Sequence, residues 1–194
     1  MITTWENAIS WARRAAGGSA VGGADAERIA ASMREAAEAA SSGDAPASVR
    51  SQERAPKDKL QALFDASYMI AAVGDDGAAE GRARIGAALT ALFETDAPGV
   101  GVVQRLELAR AFVKEHGGVA MSEAIARAIS EPDERANVLL IVSAFATLGG
   151  GVGPKESMAL HALTRAFGVP LTDLQKLLSV GKGHLSEPPP AVDG

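Results

Sequence analysis

The chain has 194 residues, a net charge of −5 and no cysteine. The negative balance excludes sequence-independent nucleic-acid binding, which needs a basic face. The missing thiols exclude disulfides, cysteine nucleophiles and cysteine-ligated zinc. Hydrophobic residues make up 47% but aromatics only 4%, so a core must come mainly from alanine, leucine, valine and isoleucine, in a sequence whose alanine content favours helices throughout.

Thr4 is placed to cap a first helix with Trp5, Ala8, Ile9 and Ala12 on one side and Trp11 off that stripe. The expected role of this helix is to pack on its own protein; docking on a membrane surface or a partner is the alternative. Glycines between 17 and 23 make a turn, and residues 24–40 read as a second helix. The spacing of Gly17 and Gly22 resembles a phosphate loop, but Gly23 and Ala24 stand where lysine and serine or threonine are required, so that motif is rejected. Residues 41–57 (SSGDAPASVRSQERAPK) have a linker's composition. They divide an N-terminal helical arm with its polar linker, residues 1–55, from a main domain at 56–181.

In that domain, residues 60–73 predict a third helix with Leu60, Leu63, Phe64, Met69 and Ile70 as core. Residues 79–93 predict a fourth, carrying Ile85, Leu89, Leu92 and Phe93. A fifth runs over 102–116 and stops at Gly117-Gly118, and a sixth covers 121–129. Ser130, Pro132, Asp133 and Glu134 start the next helix, whose stretch 138–148 is apolar almost all round and therefore buried on every side. Glycines 149–151 break it, and Pro154 suits the first turn of an amphipathic helix with Ala159, Leu163, Ala166 and Phe167 on one face. Gly168 closes that helix in a left-handed conformation. Thr172 and Gln175 form a capping-box signature for a last helix with Leu174, Leu177 and Leu178. From Lys182 to the end (KGHLSEPPPAVDG) the composition predicts a disordered tail. The start of the chain lacks the basic and apolar regions of a secretory signal. The apolar run 138–148 is too short to span a bilayer. A cytoplasmic protein that is not an integral membrane protein is expected.

Two stretches resemble each other. Residues 68–73 lead to Asp76-Gly77 and an amphipathic helix ending in Phe93; residues 141–144 lead to Gly149-Gly150 and one ending in Phe167. Gly149 stands 73 residues after Asp76, and Phe167 stands 74 after Phe93. Two helical hairpins of like design would bury their apolar stripes against each other.

With AAVGDDGAAEGRARIGAALTALF and IVSAFATLGGGVGPKESMALHALTRAFGVPLTDLQKLL in these places, the region from about 60 to 180 resembles the TerB-like family of tellurite-resistance proteins. The resemblance implies an all-α helical bundle of two related hairpin repeats. It also implies a non-enzymatic role in chemical-stress response, with protein partners at the inner face of the membrane. By the same resemblance, acidic residues at the two turns would hold a divalent cation, calcium or magnesium. Here the matching residues are Asp75, Asp76, Glu80 and Glu156. The pattern is degenerate: Arg82 and Ala83 stand around the usual glutamate of the first copy, and Gly149 replaces the aspartate of the second. Hard cations need several converging oxygens, so the expected site is weak. The bland reading of the same acids is that they end one helix and sit in the first turn of the next, where the dipole favours them.

His116, His161 and His184 have no zinc-ligand spacing. No nucleophile elbow appears, and the glycines at 149–153 join two helices rather than following a strand. The function classes are therefore a scaffold or interaction module and, as the alternative, a small-molecule binder or enzyme using a cleft between the repeats.

Overall fold

The computed structural model describes residues 3–40, 58–73, 78–93, 100–148 and 152–186. Among them the chain forms eight helices and no strand, so the all-α class holds. In order these are α1 (Trp5–Ala15), α2 (Gly23–Ala40), α3 (Lys59–Ala71), α4 (Ala78–Phe93), α5 (Val102–Ala128), α6 (Pro132–Phe145), α7 (Pro154–Phe167) and α8 (Leu171–Leu185).

Thr4 caps α1 as expected: its backbone is extended and its Oγ1 accepts from the Asn7 amide at 3.2 Å. The stripe of Trp5, Ala8, Ile9 and Ala12 is buried, but so are Trp11 and Arg13. They can be buried because each reaches a polar partner on another helix. Trp11 Nε1 donates to Glu134 Oε1 of α6 at 3.3 Å, and Arg13 Nε donates to the Leu92 carbonyl of α4 at 3.0 Å. Satisfied polar groups remove most of the burial penalty.

The first two helices belong to the same apolar core as the others. In α2 the buried residues Ala26, Ile29, Ala30, Met33 and Ala37 repeat every three or four positions. This narrow seam lets α4 approach closely, and α2 packs on α4 more extensively than any other helix pair. The expected division near 55/56 is therefore not a division of the core. An alanine-rich helix with charges reads as a solvated arm in composition, while its seam has meaning only once a partner helix is in place. The linker 41–57 lies outside the described residues.

Two helices are enclosed. Every residue of α3 after Lys59 is buried, and so is every residue of α6 from Ala136 to Phe145. α3 packs mainly on α5, and α6 mainly on α8; α3 and α6 also pack on each other. At the α6–α8 contact, a Cβ on Gly181 would lie 2.8 Å from the Ala144 backbone nitrogen, so only glycine permits this approach.

The break expected at Gly117-Gly118 falls inside α5, where Gly117 leaves helical geometry (φ 82°, ψ 167°) and kinks the element between the fifth and sixth predicted helices. Two expectations are corrected in detail. α8 begins at Leu171 behind Pro170, whose carbonyl accepts from the Asp173 and Leu174 amides, so Thr172 is inside the helix and no capping box forms. Proline's fixed φ already supplies the entry geometry. Residues 182–185 continue α8 instead of beginning a tail, and Leu185 is buried; residues 187–194 lie outside the described residues. Gly168 does adopt the left-handed conformation (φ 66°) that closes α7. No helix among the described residues is long and apolar enough to cross a membrane.

Candidate functional site

Of the four acids proposed as cation ligands, Asp75 and Asp76 lie outside the described residues. Glu80 sits in the first turn of α4 and accepts from Arg84 Nη1 at 2.8 Å, an exposed i, i+4 pair. Glu156 sits in the first turn of α7, where its Oε2 occupies the place a Cβ on Gly153 would take. Its carboxylate is thus folded back over the start of its own helix, where the dipole favours an anion. α4 packs on α1, α2, α3 and α5, and α7 packs on α3, α5, α6 and α8. Glu80 and Glu156 thus stand on helices that both pack against α3 and α5. Among the described residues no three acidic or histidine side chains converge as metal ligands.

The geometry instead brings together polar residues that the sequence did not single out. Asp58 caps α3 by accepting from the Gln61 amide at 3.0 Å, and its other oxygen takes Arg105 Nη1 of α5 at 2.8 Å. Arg105 also donates from Nε to the Val100 carbonyl, and Gln61 Nε2 returns a bond to the Arg105 carbonyl. Burial pushes the Asp58 carboxyl upward, but the hydrogen bonds from Arg105 and Gln61 and the guanidinium charge together hold it below the usual aspartate range. Fully buried Asp65 accepts from Gln61 Nε2 at 3.0 Å. The cluster fixes the start of α5 against the start of α3.

Arg135 of α6 performs a similar task at two helix ends. It donates to the carbonyls of Ile129 (2.8 Å) and Ala126 (3.4 Å), at the end of α5, and of Phe167 (3.0 Å), at the end of α7. These carbonyls have no partner within their own helices, and the planar guanidinium serves several at once. Its guanidinium carbon lies 5.6 Å from the Phe167 ring centroid, a cation–π distance. Glu134, one residue earlier, accepts from both Trp11 and Lys59 Nζ (2.7 Å), linking α1, α3 and α6.

A third cluster joins the two ends of the described chain. Trp5 of α1 stacks on His184 of α8 with centroids 5.0 Å apart and an 11° interplanar angle. His184 Nδ1 lies 3.1 Å from a Glu27 oxygen of α2, and Arg34 Nη2 of α2 donates to the His184 carbonyl at 2.9 Å. No local pattern could have announced this contact, because its members are far apart in the chain. A composition reading that ends order at Lys182 hides it as well. His116 lies beside Phe112 and Glu115 on α5, and His161 is exposed on α7.

Compared with protein-family models, with curated proteins and with solved structures, the chain matches none of them.

Proposed function

We propose that this chain is a non-enzymatic TerB-like interaction module, a cytoplasmic scaffold of the tellurite-resistance type of stress response. The observation that carries the reading is the like packing of the two enclosed helices. α3 lies mainly on α5 and α6 mainly on α8, with α4 and α7 as the intervening helices of each set. A duplicated three-helix unit would pack in this way, and the sequence likeness between the two stretches is in the same register. The polar clusters lend further support: Asp58, Arg105, Glu134 and Arg135 are engaged in joining helix ends, a use of charge that suits a rigid carrier of surfaces. Any calcium or magnesium affinity is weak and centres on Asp75, Asp76, Glu80 and Glu156, a set with too few oxygens to replace a full hydration shell.

The module is tested by affinity capture of the full chain from its native host, with and without added calcium or magnesium, paired with tellurite tolerance of a strain lacking it. The expected result is a specific protein partner at the inner membrane face and a tellurite-sensitive strain rescued by the wild-type chain. Unchanged tolerance together with no specific partner would sink the reading. Calorimetry addresses the cation separately: wild type should bind calcium or magnesium weakly at most, and Asp76→Ala should abolish whatever binding is seen. Tight binding that survives in Asp76→Ala would place the site elsewhere.

A further inference from the structure

We infer that the outer face of α7 is a docking surface for an acidic amphipathic helix on a partner protein, an inference that rests on the interaction-module reading and gives it a location. On α7, Leu160, Leu163, Thr164 and Phe167 face the core. The opposite face carries Lys155, Met158, His161, Ala162 and Arg165, all exposed. Met158, Ala162 and Arg165 follow Lys155 at i+3, i+7 and i+10, so one helical stripe holds them.

Three features of this stripe point to the same occupant. First, its centre is apolar and soft: Met158 is 64% exposed, and one turn on, Ala162 leaves room for a second helix to approach. Methionine's flexible, polarisable side chain suits adaptable helix recognition. Second, its charge is of one sign in a chain whose net charge is −5. Glu156, the one carboxylate of α7, is off the stripe and folded over Gly153. Third, its cations are uncommitted. Among the described residues Lys155 and Arg165 enter no ion pair, in contrast to Arg84, Arg105, Arg127 and Lys176 on other helices. The two cations stand roughly 15 Å apart along the axis. A matching helix would seat an apolar residue on Met158 and Ala162 and place carboxylates two to three turns apart on either side. A membrane surface fits less well, because interfacial helices need a broad apolar face of large side chains and this stripe has one. Complementary charge of this kind sets register and partner choice.

The test places a photo-crosslinking amino acid at Met158 of the full chain in its native host, with the same amino acid at exposed Val119 as the control position. The expected product joins Met158 to a partner helix with carboxylates two to three turns apart. The double variant Lys155→Glu, Arg165→Glu should lower crosslinking by roughly tenfold or more, and reversing the partner's carboxylates to lysine should restore it. Far-UV circular dichroism of the double variant should match wild type, since both positions are exposed. Crosslinking unchanged by the charge reversal, absent altogether, or directed to a second copy of this chain would overturn the inference. So would charge-dependent pelleting with vesicles of equal parts phosphatidylglycerol and phosphatidylcholine, which would assign the face to a membrane. If affinity capture still recovers its partner with the double variant, the module reading stands and only the α7 location fails.

Discussion

Asp58 caps one helix and pairs with another, so its protonation reaches both. Its folded-state pKa is held below the unfolded value of 3.8, chiefly because the Arg105 and Gln61 hydrogen bonds outweigh burial. A depressed carboxylate contributes stability that is fully present above the unfolded pKa and is lost as pH falls through the folded one. The fall should therefore begin as pH drops toward about 4 and continue below it. Chemical denaturation at neutral pH and near pH 3 measures this, and Asp58→Asn should narrow the difference between the two. An equal difference in wild type and variant would mean that other carboxylates carry the acid sensitivity. At this scale caps were legible where they are local, as at Thr4, whose partner is three residues away. Arg105 and Arg135 were not, because their acceptors come from other helices and nothing in the flanking residues names them.

Two glycines in the same helix separate backbone propensity from packing. Gly183 is exposed with open space where a Cβ would go, while a Cβ at Gly181 meets the backbone of α6. Gly183→Ala should stabilise by about 0.5–1 kcal/mol, the usual gain for replacing glycine inside a helix. Gly181→Ala should destabilise by about 1–3 kcal/mol despite the same gain, because overpacking forces α8 away from α6. Thermal or chemical denaturation of both variants checks the pair, and a stabilised Gly181→Ala would mean that α6 and α8 are not in close contact. The element scale also decides the status of α1 and α2. Trp5 and Ile9 are 3% and 0% exposed, so a chain lacking residues 1–40 should bare the faces of α4 and α6. It should lose its sharp unfolding transition and bind an apolar dye such as ANS. A fragment starting at residue 58 that unfolds as cooperatively as the full chain would restore the separable arm. Apolar periodicity announced most of the helices. Their ends followed less well, since a proline before α8 acted through backbone angles that have several outcomes in sequence.

At the scale of the molecule, the first and last described helices meet through Trp5 and His184, and α2 holds both His184 and the α4 face. One apolar cluster includes residues from all eight helices. Unfolding should therefore be a single transition, with calorimetric and van't Hoff enthalpies equal and with tryptophan fluorescence and circular dichroism coincident. A separate early transition seen by tryptophan fluorescence would show α1 leaving the rest, since Trp5 and Trp11 are the two tryptophans of the chain. The amino-acid sequence by itself determined that the chain is helical, that residues 138–147 are buried, and where most breaks fall. Those properties follow from period, glycine and proline, which act over a few residues. Only the tertiary structure decided that α3 is enclosed as fully as α6, that the N-terminal helices complete the core, and which charges are spent on helix ends. Burial and pairing depend on which helices become neighbours, and that choice is made by contacts between residues far apart in the chain.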